Sequence, residues 1–356
     1  MVRKQINKIL LTTNSLALGG MERSVVNLAK MLNEEGVQVK IFLISSDENC
    51  FNLPEGINVY SGKRKSKHRF FVIFSLLKLR KFTKKFNPDF VLSYSGRISS
   101  FVFLSLLGVN NNVIPFHRAN PDITYDKYIR FLNKLIFPRC KALVVQTEIA
   151  KRKFYKRYGN KNIIVLPNIA RQLILNVNVN REKIILNVSR FVDGKGLDTL
   201  IKIFSKLENS EWKLYIIGDG ELKNKLIQLI DDLSLNNRVI LKGYINDVDY
   251  YLSISSIFAF TSRSEGYPNS LLEAMCAGLA CISFDCPTGP AEMLKDGVNG
   301  YLIPLDDINL YVERLEKLIN DENLRNSFGN EAKKIKDINS PGFIGRKLLH
   351  ELTNMK

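Results

Sequence analysis

Apolar positions along this chain alternate between two periods. Asn7-Lys8-Ile9-Leu10-Leu11-Thr12-Thr13 is a short strand-like run that ends in the turn-rich stretch Asn14 to Gly20. From Met21 to Glu35 the apolar residues Val25, Leu28, Ala29 and Leu32 follow helical spacing, with Gly36 as a stop, and Val37 to Ile44 is a second β-branched run. Strand, helix, strand then recurs. Helical Phe70 to Phe86 leads to Asp89–Ser93, Ser99 to Leu107 to Asn112–Phe116, Tyr125 to Phe137 to Ala142–Gln146, and Glu148 to Tyr158 to Asn162–Leu166. The stretch Ala170 to Arg181 lacks a period and reads as a linker. A second series starts at Lys183–Val188 and runs through a helix (Leu197 to Leu207), a strand (Trp212 to Ile217) and a helix (Glu221 to Ser234). It continues with strands at Val239–Leu241 and Ile257–Phe260, a helix from Ser270 to Ala277, and strands at Ala280–Ser283 and Tyr301–Ile303. A helix-rich tail ends in a helix from Pro341 to Asn354. Alternation of this kind predicts an α/β fold with parallel sheets covered on both faces, here as two doubly wound domains in tandem.

Length and composition agree with that division. The 356 residues suit two domains, each able to bury a core, and 45% hydrophobic with 24% charged residues is ordinary for a globular chain. The basic start is followed only by Ile9-Leu10-Leu11, too short for a signal-peptide core. No run reaches the roughly 18 apolar residues of a membrane span, so the chain reads as cytoplasmic. Five cysteines (Cys50, Cys140, Cys276, Cys281, Cys286) without C-x-x-C spacing suggest buried or idle thiols rather than disulfides or a metal site. Charge is informative by its placement. Residues 1–175 hold 30 Lys and Arg against 10 Asp and Glu, whereas the remainder holds 22 against 25. One half is strongly basic, which suggests an anionic partner such as a membrane surface, a nucleic acid or a polyanion.

Ligands of open parallel sheets bind at the carboxyl ends of strands, where loops meet helix N-termini. After the first strand come Gly19-Gly20, which let backbone approach a ligand closely but are common in tight loops. After Ile184–Val188 come Ser189-Arg190-Phe191-Val192-Asp193-Gly194-Lys195-Gly196. Arg190 and Lys195 can point into one cleft, a planar fork beside a point charge, and so suit a diphosphate; alone they could equally be solvated loop cations. After Ile257–Phe260 comes Thr261-Ser262-Arg263-Ser264-Glu265-Gly266-Tyr267-Pro268-Asn269-Ser270-Leu271-Leu272-Glu273. Asn269 is a candidate helix cap, and the free N–H groups of Ser270 and Leu271 suit phosphate. Glu265 and Glu273 straddle the helix start and can grip two pairs of sugar hydroxyls. A lone Glu273 would be an ordinary acid favoured by the helix dipole, but that does not account for the whole string.

The segment from Glu265 to Met275 resembles the E-x7-E signature of retaining glycosyltransferases of family 4, which have the GT-B architecture. Gly19-Gly20-Met21-Glu22-Arg23 is similar to that family's N-terminal GG-x-E motif, and Ser189-Arg190 with Lys195 to its diphosphate-binding cations. Gly218-Asp219-Gly220, Gly243-Tyr244 and Asp296–Gly300 fall at the expected places, so the resemblance covers most of the chain. It implies two Rossmann-like domains facing across a cleft. Residues 1–170 would bind the acceptor and present a basic, membrane-facing surface; residues 171–340 would bind the nucleotide sugar. Residues 341–356 would form a helix packing back on the first domain.

Residue by residue, the resemblance implies that Arg190 and Lys195 hold the donor diphosphate and that Glu273 bonds the ribose hydroxyls. Glu265, with the backbone of Gly266, Tyr267, Pro268 and Asn269, would orient the donor sugar, and Ser270 and Leu271 complete the donor site. Gly20 would lie near the phosphates, Gly19 near the acceptor and Tyr244 near the base. A first-domain histidine lies near the reacting sugar in the family. Of His68, His117 and His350, only His117 follows a strand, so His117 and its neighbour Arg118 are assigned there. The catalytic set is then His117, Arg190, Lys195 and Glu265, with no metal and no cofactor beyond a nucleotide-sugar co-substrate, a UDP-sugar.

The acceptor is suggested by Lys63 to Lys85, where basic clusters flank an apolar helical stretch suited to an anionic leaflet, although a core-packed helix with solvated lysines also fits. A membrane-associated, polyprenyl-diphosphate-linked glycan is the corresponding substrate, with a hexose or N-acetylhexosamine transferred to it in surface-glycan assembly. Phe116–Pro121 and Phe284–Pro290 resemble branches that use UDP-sugars. The enzyme would sit peripherally on the inner face of the cytoplasmic membrane as a monomer or weak dimer. Two rivals are a UDP-sugar 2-epimerase of the same architecture and a basic nucleic-acid-binding protein; no helix-turn-helix, zinc or RNP signature supports the latter.

Overall fold

The computed structural model describes residues 5–17, 20–62, 71–94, 96–118, 120–122, 125–176 and 179–355. The chain divides into two compact units, one of residues 1–169 with 339–356 and one of residues 170–338.

The first unit holds the strands β1 (Lys8–Thr13), β2 (Gln38–Leu43), β3 (Asn58–Ser61), β4 (Phe90–Tyr94), β5 (Val113–Phe116), β6 (Leu143–Val145) and β7 (Ile163–Val165). They form one parallel sheet ordered β3-β2-β1-β4-β5-β6-β7. β1 pairs β2 from Lys8↔Gln38 to Thr13↔Leu43 and pairs β4 on its other side. Both faces of the central strands are buried, which explains why their sequences are apolar throughout rather than alternating. On one face, Ile9, Leu11, Val39, Ile41 and Leu92 pack against the helices Gly20–Glu34 and Pro341–Asn354. The terminal helix contributes Ile344, Leu348 and Leu352 to that core. On the other face, Leu10, Phe42, Val91, Val113 and Leu143 pack against the helices Phe71–Phe86, Ser99–Leu106, Lys127–Ile136 and Glu148–Tyr158. At roughly 1.5–3 kcal/mol for each fully buried large side chain, these two cores dominate the stability of the unit.

The second unit holds β8 (Glu182–Val188), β9 (Lys213–Ile217), β10 (Val239–Gly243), β11 (Ser255–Phe260), β12 (Ala280–Asp285) and β13 (Tyr301–Pro304). Its parallel sheet is ordered β10-β9-β8-β11-β12-β13. The order reverses between β8 and β11, so their connections leave in opposite directions and open a crevice at their carboxyl ends. In the first unit the same reversal lies between β1 and β4.

Residues 170–181, read as a linker, begin the second unit. Among its described residues no helix or strand precedes Glu182, and several of them are tied to the second unit. The backbone N–H of Ile174 donates to Asp249 at 2.7 Å and that of Asn176 to Ser253 at 3.0 Å, while Ala170, Leu173 and Leu175 pack on the core. Arg181 donates to the carbonyls of Leu252 and Ala277. Among the described residues no helix is long and apolar enough to cross a membrane.

Candidate functional site

The loops that follow β8 and β11 meet at the reversal point of the second sheet. Asn187, buried near the end of β8, donates from Nδ2 to the carbonyl of Ala259 in β11 at 2.8 Å. Its Oδ1 accepts from Ser189 Oγ at 2.8 Å, which fixes the start of the first loop. The loop then makes a single 3₁₀ turn over Asp193–Lys195 and enters the helix Leu197–Ser205. Gly196 links the two at φ 61°, and a Cβ there would stand 2.2 Å from the carbonyl oxygen of Thr261. Only glycine allows the two loops to touch at this point.

Arg263 staples the loops together. Its guanidinium donates to the carbonyl of Asp193 at 2.6 Å, to both Asp198 oxygens at 2.9 and 3.0 Å and to Thr199 Oγ1 at 3.1 Å, and its backbone N–H donates to Gly194. Lys195 is thereby carried to Glu265. Its Nζ lies 2.5 Å from Oε1 of that residue, and the two side chains are only 19% and 12% exposed. An ammonium has three N–H donors, so pairing with one carboxylate oxygen leaves Lys195 capacity for a further anion. Thr288, buried in the loop after β12, donates to the carbonyl of Glu265 and braces the loop from its other side. Burial, with the neighbouring Glu265 carboxylate, pushes the Cys286 thiol up to about 12, so this cysteine stays protonated and inert.

Pro268 is the cap of the helix Asn269–Ala277, which corrects the expectation of an Asn269 cap. Pro268 keeps an extended backbone at φ −73° and ψ 112°, so helical dihedrals start at Asn269, which becomes the first helical residue. The first N–H groups of this helix, including those of Ser270 and Leu271, have no intrahelical acceptor. Tyr267 and Leu271 are buried in the core beneath, and Gly266 lies in the loop above them.

Glu273, in the second turn, is held by a residue that the sequence did not single out. Arg171 Nε lies 2.9 Å from Glu273 Oε1, while its two terminal nitrogens grip both carboxylate oxygens of Asp249, Nη1 at 3.0 Å. All three side chains are largely buried. Burial opposes the charge on Arg171, but the Asp249 hydrogen bonds and the Glu273 carboxylate outweigh it and hold the guanidinium above its ordinary range. The two acids of the motif thus sit with different cations, Glu265 with Lys195 and Glu273 with Arg171.

The remaining predicted residues are more dispersed. Arg190 is exposed and has no ion pair among the described residues. Tyr244 follows Gly243 at the end of the edge strand β10 and is 70% exposed. Its strand end is tied inward, because Gly218 donates to the carbonyl of Gly243, and Gly218 itself, at φ 145°, would bring a Cβ within 1.9 Å of the Ser189 carbonyl. In the first unit, Gly19 lies outside the described residues, as do Lys63–Phe70 with His68, and Gly20 opens the helix Gly20–Glu34. His117 is buried immediately after β5. Its Nε2 is 3.1 Å from the Tyr125 hydroxyl and its ring packs on Phe154. Arg118 turns elsewhere: it donates to the carbonyl of Leu166 at 2.9 Å and to Ser24 Oγ. Successive residues leaving a strand point to opposite faces, and the structure does not bring His117 and Arg118 together. Burial, only partly offset by Arg118, pushes the Tyr94 hydroxyl beneath it up to about 12.

Comparison with known proteins places these two sheets in a wider group. Residues 18–170 match the model of Glycosyltransferase Family 4, and residues 174–335 match that of Glycosyl transferases group 1. The chain is 31% identical over 313 residues to an uncharacterized glycosyltransferase of Haemophilus influenzae, covering 86% of this chain and 88% of that protein. It is 27% identical, over 90% of this chain and 92% of the relative, to a Campylobacter jejuni enzyme. That enzyme is named N-acetylgalactosamine-N,N'-diacetylbacillosaminyl-diphospho-undecaprenol 4-alpha-N-acetylgalactosaminyltransferase. Among solved structures, a point mutant of S. aureus TarM in complex with Fondaparinux, alpha-GlcNAc-glycerol and UDP superposes with a TM-score of 0.80 at 17% identity, over 98% of this chain and 100% of that chain. By sequence across both units and by the fold of each, the chain belongs to the group 1, family 4 glycosyltransferases of GT-B fold.

Proposed function

We propose that this glycosyltransferase moves a hexose or N-acetylhexosamine, with retention of configuration and without a metal, from a UDP-sugar to a membrane-associated glycan carried on a polyprenyl diphosphate. The observation that carries this reading is the Lys195–Glu265 pair, locked at the sheet's reversal point beside the start of the helix Asn269–Ala277. When the bond from the sugar's anomeric carbon to the β-phosphate oxygen breaks, its electron pair leaves with the nucleotide. Lys195, Arg190 and the helix N–H groups meet that charge, in the role a divalent cation would otherwise fill. The acceptor hydroxyl bonds to the anomeric carbon and its proton passes to the departing phosphate. In this reading Glu265 orients the sugar, Glu273 binds the ribose, Tyr244 lies near the base, and His117 faces the reacting sugar.

A UDP-sugar is favoured because the related TarM structure contains UDP, and a polyprenyl-linked acceptor because the Campylobacter relative is named for one. The test is a panel of radiolabelled nucleotide sugars offered with undecaprenyl-diphosphate-linked glycans in the presence of EDTA. The expected result is label passing into the organic phase from one UDP-sugar only, undiminished by the chelator. Label released as free or isomerised sugar with no acceptor present would favour an epimerase instead, and turnover abolished by EDTA would remove the metal-independent mechanism.

A further inference from the structure

His117 leaves the carboxyl end of β5 and is fixed from three directions. Its backbone N–H donates to the carbonyl of Val144 in β6 at 2.8 Å. The buried Phe154 packs on the ring with centroids 4.6 Å apart. The third contact is Tyr125, whose hydroxyl lies 3.1 Å from Nε2, the two rings meeting edge to face. The loop after β4 is shaped around that bond. A Cβ on Gly96 would stand 2.2 Å from the Tyr125 hydroxyl and 3.3 Å from Cδ2 of His117, so any side chain there would push the hydroxyl off the imidazole. Gly96 is itself held from behind. Its carbonyl accepts from Nδ2 of the buried Asn133 at 3.0 Å, and Oδ1 of Asn133 accepts from Ser100 Oγ at 2.6 Å. The chain just before Tyr125 is tied to the helix that carries Phe154, because Asp122 pairs with Lys153 and Arg157, and Arg157 donates to the carbonyl of Pro121 at 2.5 Å. A phenylalanine at position 125 would pack here as well; the space left by Gly96 accommodates the oxygen.

That bond decides which imidazole nitrogen carries the proton. Among the described residues the Tyr125 hydroxyl has one hydrogen-bond partner, Nε2 of His117, and a hydroxyl places its single proton on the acceptor within reach. Burial, with Tyr158 nearby, pushes the hydroxyl up to about 12 against the pull of Arg97 and Arg157, so it remains a donor through the neutral range. Nε2 is then an acceptor, and the neutral ring keeps its proton on Nδ1. We propose that Tyr125 is a positioning residue, which holds His117 in the Nδ1–H form and in one ring orientation, so that the imidazole meets the reacting sugar in a single protonation pattern. Tyr125 acts through His117 and not on the substrate. The inference rests on the proposed reading that His117 faces the reacting sugar.

The test pairs a spectrum with a rate. In the full chain labelled with 15N-histidine, the ring signals that His117→Ala removes belong to His117. At a pH of about 8, where an ordinary imidazole is neutral, they should show the Nδ1–H pattern in the wild type and a mixture of the two forms in Tyr125→Phe. Gly96→Ala, which displaces the hydroxyl without altering it, should give the same mixture. Transfer from the UDP-sugar active in the panel above to the undecaprenyl-diphosphate-linked glycan gives the rate. Tyr125→Phe should lower kcat about tenfold, the effect of one hydrogen bond, and move KM less. In a His117→Ala background Tyr125→Phe should cost nothing further. Losses that multiply would mean that Tyr125 acts on its own and would overturn the inference. So would an imidazole spectrum unchanged in both variants, or a wild-type kcat in Tyr125→Phe beside a slow His117→Ala. Wild-type turnover by His117→Ala would remove His117 from the reacting sugar and this inference with it, a failure that the single variants tell apart from an idle Tyr125.

Discussion

Lys195→Ala is expected to lower kcat by about 10²–10³-fold, the cost of removing one preorganised charge donor from a transition state. The ground-state donor already carries its diphosphate charge, but the leaving oxygen gains more as the glycosidic bond breaks. In the proposed role Lys195 would contribute most at that moment, so the donor KM should move less than kcat. Lys195→Arg should restore little. The Gly196–Thr261 contact and the Arg263 staple fix the position of the Lys195 backbone, so a longer planar guanidinium cannot place a point charge where the ammonium sits. Steady-state kinetics with a radiolabelled donor measures both constants. A variant that turns over like the wild type would take Lys195 out of the leaving-group role.

Arg171→Ala should strongly destabilise the second unit. It strands two largely buried carboxylates, Asp249 and Glu273, whose side chains are 11% and 16% exposed. Breaking a buried pair in this way costs about 3–5 kcal/mol, which for a unit of this size lowers Tm by roughly 10 °C. The backbone tie from Ile174 to Asp249 would loosen with it. A second readout separates stability from function. Below the melting range, Glu273 without its guanidinium is free to swing, and the donor KM should rise about tenfold with a smaller change in kcat. Asp249→Asn leaves the Arg171–Glu273 contact in place, so it should lose stability but keep most of its donor affinity. Equal KM values for Arg171→Ala and wild type would mean that Glu273 needs no such support.

The central strands were legible because they are buried on both faces, which leaves uninterrupted apolar runs such as Ile9-Leu10-Leu11 and Ile184-Ile185-Leu186. The edge strand Asn58–Ser61 left no such trace: it is four residues long and none of its side chains is buried. The helix Val248–Ile254 was equally silent. Its seven residues hold barely two turns, and its start depends on Asp247 accepting from the backbone of Tyr250. Helix ends also moved by a residue or two, as at Lys127–Ile136, where the turn continues as 3₁₀ through Arg139.

Within the candidate site, Lys195 and Glu265 were each singled out from sequence because each follows a strand, whereas their pairing follows from the adjacency of those strands in the sheet. Arg171 could not be placed that way, since it does not directly follow a strand and its partners Asp249 and Glu273 lie within helices. One signal was available: Arg171 is the sole charged residue between positions 170 and 180, in a stretch otherwise free to be apolar or amide-bearing. A lone cation fixed near a chain crossing is more economically explained by a buried partner than by solvent. Arg263 carried no comparable signal, because nothing in a loop sequence distinguishes a staple from one more solvated arginine.

Hydrogen–deuterium exchange with and without UDP tests the central claim most directly, because it reports where the nucleotide sits without assuming any activity. The account predicts slowed exchange in peptides spanning 189–197 and 263–274, the two loops joined by Lys195 and Glu265 and the helix start behind them. Unchanged exchange there at saturating UDP, or protection confined to other segments, would contradict it.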